Sequence, residues 1–434
     1  MKKLAIEGGD KSIAQDEIPI DEQPYAQRDL DLIKEVLESK RYSLFNNDTI
    51  SKLEEKIAGY FGTEKCLMFT NCTSALDASF RSLNSGSGNE VIMPSYTYAA
   101  TMMAILSSGA KPVFVDIDYK TLTLDINLLE EKINSRTKAI VPVHIFGNPC
   151  NMNEILCISN KYGLRVIEDC AHAFGASYEG KKVGSFDIGC HSFGENKILR
   201  IGEGGAVTSN DNKFMNSVEI IRHEGEVWSR MGISAARGID LKVLDLLKGI
   251  DYVKKGHNFR PSPLLAALGI SRLETIDEQI ETMSKNAQIY TKLFEDISEI
   301  QIPKENKNAD RIHSSYITLL DEECPFNRDA LFVALAMEGV PIGVHFPTPL
   351  HKTTIYNSFS TDFYFPNAER FCKNHIALPI YPSLSEDHIM KIGEVVVDTI
   401  KRINENPHRI NQKAEDMKSS IPIKHFYSGM YITI

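Results

Sequence analysis

The feature that most constrains the fold is an alternation of short apolar runs with amphipathic segments between residues 65 and 169. The apolar runs are typical of buried strands, whereas the segments between them carry apolar residues at helical spacing. Strands that alternate with helices imply right-handed crossover connections and a largely parallel sheet covered by helices. The predicted strands lie at residues 65–69, 90–94, 111–117, 138–145 and 164–169.

The length of the chain allows more than this one sheet. With 434 residues, of which 42% are hydrophobic and 24% charged, it can form a large α/β domain and a smaller one. We predict a large domain over residues 1–256 with an N-terminal arm, a bridging helix and small α+β domain over 257–405, and a C-terminal extension over 406–434. Helices are predicted at residues 29–42, 49–60, 75–82, 128–134, 151–162, 214–222, 263–294, 328–338, 368–374 and 386–404, with one more that ends near residue 108, and further strands at 205–209 and 314–320.

Polar residues follow several of these strands and are expected to meet at one edge of the sheet. Ligands of parallel α/β sheets bind in a crevice outside the carboxyl ends of the strands. Thr73 follows the first strand, Tyr98 follows the second, and Asp169 ends the strand at 164–169. Thr73 and Ser74 also open a helix whose unpaired N–H groups can bind an anion, although a plain helix cap has the same pattern. No GxGxxG follows the first strand, which disfavours a dinucleotide-binding fold.

Lys197 lies on a short segment between a β-like run that ends at Ser192 and a glycine-rich stretch at residues 202–205. Glycines allow the backbone to approach a bound group closely. A lysine that is shielded from water can lose its proton and attack a carbonyl, as Schiff-base lysines do. By itself the pattern is more typical of a solvated loop lysine, so the prediction depends on the residues that accompany it.

Taken together, the crevice groups have the composition of a pyridoxal phosphate site. Such a site needs a lysine to bind the aldehyde, a carboxylate to pair with the pyridinium nitrogen and an aromatic ring to stack on the cofactor. It also needs hydroxyls and helix N–H groups to hold the phosphate. The chain offers these groups in Lys197, Asp169 with His172 three residues later, Tyr98, Thr73, Ser74 and Ser192.

The order of the motifs resembles that of a known family. Over about residues 25–400, the chain is similar to the sugar aminotransferases of the DegT/DnrJ/StrS group, pyridoxal-phosphate enzymes with the aspartate aminotransferase (type I) fold. The resemblance implies a mostly parallel seven-stranded sheet between helices and a smaller α+β C-terminal domain. It rests on FTNCTSAL at 69–76, PSYTYAAT at 94–101, PVFVDID at 112–118, IEDCAHAFGA at 167–176, GSFD at 184–187, GEGGA at 202–206, GHNFR at 256–260, HFPTPLH at 345–351 and FPNAE at 365–369.

The resemblance also implies a role for each matching residue near the reacting atoms. Lys197 becomes the Schiff-base lysine, which carries the proton between Cα of the donor and the sugar carbon. Asp169 pairs with the pyridine nitrogen, and His172 replaces the family's usual glutamine near the phenolic oxygen. Tyr98 stacks on the ring. Taken singly, Tyr98 could be a core residue and His172 a structural histidine.

The phosphate site implied by the resemblance consists of Thr73, Ser74 and Ser192. Ser192 alone could equally be an ordinary strand serine. Asn258 matches a residue that reaches the phosphate of the neighbouring subunit, which implies a homodimer with active sites at its interface.

Two further positions and two departures concern the substrates. Arg260 and His345 are weaker matches, which imply contacts with the donor carboxylate or the substrate. The family usually has glycine before the phosphate-binding threonine, and this chain has Cys72. The family usually carries histidine, tyrosine or glutamine two residues after the serine, and this chain has Gly194. The missing side chain leaves room beside the substrate, so the identity of the acceptor stays open.

The activity implied is transfer of an amino group from glutamate or glutamine to a keto sugar, in particular a nucleotide-linked keto-deoxysugar, in amino-sugar biosynthesis. An aminotransferase acting on a cyclitol ketone is the nearest alternative, because residues 4–9 resemble that branch. A sugar dehydratase on the same fold would carry histidine at the lysine position. A non-catalytic regulatory relative would not need Lys197 together with Asp169.

Charge and composition disfavour several other classes of protein. A net charge of -10 and a pI near 5.7 disfavour binding to nucleic acid or anionic membranes. The eight cysteines include no CxxC pair, so no metal site is predicted. No run approaches the roughly 20 apolar residues of a membrane span, and the first residues lack the apolar core of a signal peptide, so we predict a soluble cytoplasmic protein. The apolar end of the tail, residues 423–434, is expected to pack on its own chain or on a neighbouring subunit.

Overall fold

The computed structural model describes most of the chain. The described residues are 3–14, 16–19, 21, 23–84, 86–228, 231–232, 250–358, 364–418, 425–427 and 431–433. Most of residues 224–256, for which the sequence predicts no role, lie outside them. Among the residues described, no helix is both long and apolar enough to cross a membrane.

A seven-stranded sheet forms the centre of the large domain. The strands of this region are β1 (Lys65–Phe69), β2 (Glu90–Pro94), β3 (Lys111–Val115), β4 (Thr137–Ile140), β5 (Arg165–Asp169), β6 (Ser177–Tyr178), β7 (Lys181–Lys182), β8 (Ile188–Ser192) and β9 (Gly205–Ser209). The sheet has the order β1-β9-β8-β5-β4-β2-β3. All pairs from β8 to β3 are parallel, while β9 is antiparallel to both neighbours, so β1 points the same way as the parallel strands. The prediction of a mostly parallel seven-stranded sheet is confirmed.

Helices cover this sheet and connect its strands. They are α1 (Gln27–Ser39), α2 (Thr49–Phe61), α3 (Cys72–Ser82), α4 (Ala99–Ser108), α5 (Met152–Tyr162) and α6 (Asn212–Arg222). The ends of α5 show why the sequence forms a helix there. Asn151 caps the first turn by accepting the N–H of Glu154, and the helix ends at Gly163, whose φ of 65° is readily adopted by glycine.

Two predictions in the large domain are wrong in type or extent. The helix predicted at 128–134 is replaced by two short 3-10 turns, Ile126–Leu128 and Glu130–Lys132, in which each N–H bonds three residues back. The strand predicted at 138–145 ends at Ile140, and Pro142, which has no N–H, interrupts the ladder before an isolated bridge between Val143 and Asp169. A 3-10 turn at Ile145–Gly147 follows.

The remaining strands form a second sheet and two small ones. They are β10 (Glu226–Trp228), β11 (Met231–Gly232), β12 (Ile250–Tyr252), β13 (Ile300–Gln301), β14 (Ala309–Asp310), β15 (Tyr316–Leu320), β16 (Ile342–Gly343), β17 (His375–Leu378), β18 (His425–Tyr427) and β19 (Tyr431–Thr433). The second sheet has the order β13-β15-β17-β16-β19-β18, and its pairs are antiparallel. The small sheets have the orders β11-β10-β12 and β14-β6-β7.

The helices of the C-terminal half pack on the second sheet or on one another, except the first, which packs on α1 and α2. They are α7 (Pro263–Leu273), α8 (Ile276–Phe294), α9 (Arg328–Met337), α10 (Pro366–Asn374), α11 (Glu386–Glu405) and α12 (Pro407–Met417). The single helix predicted at 263–294 is therefore wrong in one respect, because it is broken in two. The break falls at Thr275, whose φ of -115° and ψ of 8° are not helical.

Both ends of the chain lie on this second sheet and its helices. The buried carboxylate of Glu338 accepts hydrogen bonds from Ala5 N–H at 2.7 Å and from Ser12 N–H and hydroxyl at 3.0 and 2.7 Å. At the other end, β19 pairs with β16, so the tail packs on its own chain. The domain boundaries at residues 256 and 405 stay predictions. The N-terminal arm, which the prediction assigns to the large domain, contacts Glu338 of the small domain.

Candidate active site

The sheet brings the predicted site residues to one edge. β1, β2, β5 and β8 point in the same direction, and Asp169 and Ser192 end the last two. Gly205 of β9 pairs both with Ser192 and with the last residue of β1. After β1 the chain enters α3, which carries Thr73. After β2 it enters α4, which begins just after Tyr98. The crevice predicted from the strand ends therefore has these groups on its rim.

Lys197 lies in the loop between β8 and β9. Its N–H donates to the carbonyl of Gly194 at 3.1 Å, and its own carbonyl accepts from Nε of Arg200 at 3.2 Å, so the backbone is held on both sides. Although the residue is partly exposed, burial lowers the pKa of Lys197 below its usual range, and the negative charge of Asp169 opposes part of that shift. The neutral amine is the nucleophilic form, so this lysine is suited to attack a carbonyl.

Asp169 is buried and held at both carboxylate oxygens. Oδ2 accepts the hydroxyl of Thr101 at 2.7 Å, and Oδ1 accepts the N–H of Ala171 at 3.0 Å. The backbone is fixed as well, since the N–H of Asp169 donates to the carbonyl of Pro142 at 2.9 Å. A buried carboxylate in a fixed orientation, close enough to act on the charge of Lys197, is suited to pair with a cationic ring nitrogen.

The ring of His172 contacts two phenylalanine rings. Its ring is nearly parallel to those of Phe146 and Phe346, with centroids 5.7 and 6.1 Å away and interplanar angles of 23° and 17°. Burial, aided by the charge of Lys197, holds the pKa of His172 well below its usual range, so the ring is neutral. Its Nδ1 accepts the N–H of Phe146 at 3.4 Å, which leaves the proton on Nε2. His172 therefore presents a hydrogen-bond donor.

The N-terminus of α3 has the geometry of a capped helix. Asn71 accepts the N–H of Ser74 at 2.9 Å, and the hydroxyl of Ser74 lies 2.8 Å from the carbonyl of Asn71 and 3.0 Å from the hydroxyl of Thr70. The hydroxyl of Ser74 is thus engaged in the cap, while Thr73 is exposed. A Cβ on Gly205 would stand 2.4–2.6 Å from the backbone of residues 71 and 72, so glycine is required where β9 passes this turn. The turn can bind an anion through Thr73 and its backbone N–H groups.

Tyr98 is the residue before α4, and 59% of its surface is exposed. Its ring contacts Phe346, with centroids 5.4 Å apart, and this exposed aromatic face is suited to stacking on a planar ligand. Gly194 has open space around it. A Cβ there would meet only Cγ of Lys197 and Oγ of Ser192, both at 3.9 Å, which is ordinary contact. Neither close packing nor backbone conformation explains the glycine.

Asn258 and Arg260 lie beside this cluster rather than in it. Asn258 is exposed, and the carbonyl of the next residue, Phe259, accepts the N–H of Thr70 at 3.1 Å, which places the segment beside the turn before α3. Arg260 forms an ion pair with Glu224 at 2.7 Å. Within the described residues, no hydrogen bond or ion pair joins Asn258 or Arg260 to Lys197.

His345 contacts the same two phenylalanine rings as His172. It is buried, its ring centroid is 5.1 Å from that of Phe146, and its Nε2 is 3.0 Å from the hydroxyl of Ser315. Burial lowers the pKa of His345 to about 3, so it is neutral. A buried and hydrogen-bonded histidine is better suited to support His172 than to contact a substrate.

Thr101, Phe146 and Phe346 are site residues that the motifs do not single out. Thr101 contacts Asp169, and the rings of the two phenylalanines contact that of His172. Phe146 and Phe346 have φ of 51° and 39°, in the left-handed region that bulky residues rarely adopt. Thr101 and Phe346 do lie within the quoted motifs, but no spacing or composition signals a left-handed phenylalanine.

A group of potential metal ligands lies behind the site. One ligand atom from each of His144, Glu168 and Cys170 falls within 4.8 Å of the others. Nδ1 of His144 accepts the N–H of Cys150 at 3.0 Å, so its Nε2 carries the proton that points to Glu168 at 3.2 Å. Glu168 also accepts the N–H groups of Gly184 and Phe186. These atoms form a hydrogen-bond network that supports the strand before Asp169.

Comparisons with known proteins agree with this geometry. The family model for the DegT/DnrJ/EryC1/StrS aminotransferase family matches residues 24–397. The dTDP-3-amino-3,6-dideoxy-alpha-D-galactopyranose transaminase of Aneurinibacillus thermoaerophilus is 33% identical over 363 residues, which cover 83% of this chain and 92% of the relative. The UDP-2-acetamido-2-deoxy-3-oxo-D-glucuronate aminotransferase of Pseudomonas aeruginosa is 32% identical over 354 residues, covering 81% and 90%.

Solved structures extend the match to three dimensions. DesV of S. venezuelae, in complex with a ketimine intermediate, superposes with a TM-score of 0.77 at 28% identity, over 86% of this chain and 94% of DesV. The type I fold predicted from the motifs is confirmed by this superposition.

Proposed function

Because the chain belongs to the DegT/DnrJ/EryC1/StrS aminotransferase family of pyridoxal-phosphate-dependent sugar aminotransferases, we propose that it moves an amino group from glutamate or glutamine to a nucleotide-linked keto sugar. The observation that carries this proposal is that Lys197, whose pKa burial lowers, lies within electrostatic reach of the buried carboxylate of Asp169 at the carboxyl edge of the sheet. A non-catalytic relative would have no use for a lysine in this state.

The residues around Lys197 fit pyridoxal phosphate by the chemistry of their groups. When bound, this cofactor supplies an aldehyde that carries the amino group and a cationic ring that withdraws electrons from the reacting carbon. Asp169 would pair with the ring nitrogen, and Nε2–H of His172 would donate to the phenolic oxygen. The exposed ring of Tyr98 would stack on the cofactor.

The phosphate would be held at the N-terminus of α3. The exposed hydroxyl of Thr73, the N–H groups of the first turn and the hydroxyl of Ser192 are the donors that we assign to it. Ser74 contributes through the cap instead, because its hydroxyl is engaged with Asn71. Ser74 is thus assigned to the helix cap and not to direct contact with the phosphate, whose predicted position at the N-terminus of α3 is unchanged.

Lys197 moves the proton during the reaction. Its amine would hold the cofactor covalently in the resting enzyme and would be free to act as a base once a donor is bound. The Nζ of Lys197, whose pKa burial lowers, would accept the proton from Cα of the donor. In the second half of the reaction, the same group returns a proton to the sugar carbon that receives the nitrogen.

The relatives support a sugar nucleotide as acceptor. Two are named for acting on dTDP- and UDP-linked sugars, with more than four fifths of this chain matched in each case. We also propose a homodimer in which Asn258 of each subunit reaches the phosphate of the other. The exposure of Asn258 and its place beside the turn before α3 support this assignment. Arg260 would bind the donor carboxylate only after leaving Glu224.

Absorbance of the purified protein, loaded with pyridoxal phosphate, tests the proposal. The bound cofactor should give a visible band that fades when glutamate or glutamine is added and returns when a keto sugar nucleotide follows. A band that no amino donor changes would refute the transamination. If only a cyclitol ketone restores the band, the acceptor is wrong and the reaction type is right.

Two lysine variants complete this test. Lys197→Ala should abolish covalent attachment of the cofactor and turnover. Lys34→Ala is the matched control, because Lys34 is a lysine of α1 whose side chain is 72% exposed. Turnover that survives in Lys197→Ala would show that the lysine is wrongly assigned.

A further inference from the structure

We propose that Thr101 is a positioning residue for the cofactor, which acts by holding the carboxylate of Asp169 toward the ring nitrogen. The hydroxyl of Thr101 donates to Oδ2 of Asp169 at 2.7 Å. Thr101 is fully buried and Asp169 is 5% exposed, so no bulk water competes with this hydrogen bond. The inference rests on the proposed function, since it concerns how Asp169 meets the cofactor.

The hydrogen bond fixes a rotation that the backbone leaves free. A carboxylate can turn about its Cβ–Cγ bond even when its backbone is held. In Asp169, the N–H of Ala171 holds Oδ1 at 3.0 Å, and Thr101 holds Oδ2. With one donor on each oxygen, the plane of the carboxylate is set. Each oxygen keeps further lone-pair capacity, so Asp169 can still accept the N–H of a cationic ring.

The direction of the Thr101 hydroxyl is informative. A threonine inside a helix commonly donates to the backbone carbonyl one turn before it. Thr101, in the first turn of α4, donates instead to a side chain at the end of β5, across the space between helix and sheet. This hydroxyl therefore acts on the carboxylate and not on the helix that carries it.

The same helical turn carries a second cofactor group. Tyr98 is the residue before α4, and Thr101 is three residues later. The stacking ring and the partner of Asp169 are therefore set by one short segment. A change at Thr101 should affect how tightly the cofactor is held and how its ring titrates, before it affects the amino donor.

Three variants separate the hydroxyl from the shape of the side chain. Thr101→Val keeps the shape and removes the donor, whereas Thr101→Ser keeps the donor and removes a methyl group. We expect Thr101→Val to raise the Kd for pyridoxal phosphate about tenfold or more, because loss of a hydrogen bond to a charged group weakens an equilibrium by at least about that factor. Thr101→Ser keeps the hydroxyl that donates to Asp169, so its Kd should stay within about twofold of that of the wild type. Thr101→Ala replaces Thr101→Val if the latter does not fold, with the same expectation.

The readouts are the Kd from absorbance titration and the pH dependence of the visible band of the bound cofactor. Thr101→Val should shift the midpoint of that pH dependence, which a purely structural role would leave in place. Thr399→Val is the matched control, because Thr399 is a buried threonine in the interior of α11. It should change neither readout.

Four results would overturn the inference. These are an unchanged Kd and pH midpoint in Thr101→Val, a Thr101→Ser variant as weak as Thr101→Val, an equal change in Thr399→Val, or an additive loss when Thr101→Val is combined with Asp169→Asn. In that double variant the effect of Thr101 should vanish, since it acts through Asp169. Failure of the wild-type protein to bind pyridoxal phosphate would instead refute the proposed function, so the two failures are distinguishable.

Discussion

Acid should destabilise the folded protein through its buried histidines. Burial lowers the pKa of His191, His313 and His345 to about 3, and that of His375 to about 4. In the unfolded chain, each of these side chains has the ordinary histidine pKa of about 6.5. Below that pH the unfolded chain binds protons that the folded protein does not. The stability is therefore intact above pH 6.5 and is lost progressively as the pH falls toward 3.

The size of the loss follows from these pKa values. Each pH unit below the pKa of the unfolded group lowers the free energy of unfolding by about 1.4 kcal/mol, as long as the folded group stays neutral. At pH 5 this amounts to roughly 2 kcal/mol for each histidine. The four histidines together would remove roughly 8 kcal/mol relative to neutral pH. That is comparable to the whole stability of many domains, which is about 5–15 kcal/mol.

The assay is urea unfolding followed by circular dichroism at pH 7.5 and at pH 5. His191→Gln removes one of the four groups, and its loss of stability between the two pH values should be smaller than that of the wild type by roughly 2 kcal/mol. His408→Gln is the matched control, because His408 is an exposed histidine on α12, and its loss should equal that of the wild type. A wild-type loss below roughly 2 kcal/mol, or equal losses in the two variants, would refute the reasoning.

Two other predictions concern the site and the N-terminal arm. Gly194→Ala should fold normally and gain about 0.4–1 kcal/mol of stability, because its Cβ meets only ordinary contacts at 3.9 Å, whereas kcat/KM for the sugar acceptor should fall as the room beside Lys197 shrinks. A melting temperature several degrees lower would contradict this. Glu338→Gln should lower the free energy of unfolding by about 2 kcal/mol, because an amide cannot accept all three donors of Ala5 and Ser12. Limited proteolysis should then cut the arm faster, and equal rates would contradict the prediction.

The sheet and the cluster around Lys197 are predictable because their signals are local. The buried strands contain short apolar runs, and Thr73, Tyr98 and Asp169 each end or follow such a run within a few positions. The rule that ligands bind at the carboxyl ends of parallel strands then places Asp169 and Thr73 on one rim. That step uses only the order of strands and polar residues along the chain, and it requires no information on how the side chains pack.

Other features depend on contacts between distant residues, and the sequence does not signal them. The hydrogen bond from Thr101 to Asp169 spans 68 positions. The left-handed backbone of Phe346 is stabilised by a residue far away in the sequence, since the carbonyl of its neighbour His345 accepts the hydroxyl of Tyr96 at 2.8 Å. Helical spacing also runs unbroken through Thr275, so only the local backbone shows that α7 and α8 are separate helices.

The hydroxyl of Ser74 shows a subtler limit. The sequence predicts a polar helix start, and a polar helix start is observed. The pattern does not distinguish a hydroxyl that caps the helix from one that is free for a ligand. Only the contact with the carbonyl of Asn71 separates the two roles.

The pairing of β19 with β16 has a consequence for the order in which the protein forms during synthesis. β16 lies between β17 and β19 in the second sheet, so one of its edges has its partner only when residues 431–433 are available. A ribosome releases these residues well after those of β16, when the large domain has had time to fold. On the nascent chain, the edge of β16 at Ile342 and Gly343 therefore stays open to incorrect strand partners until residues 431–433 have emerged.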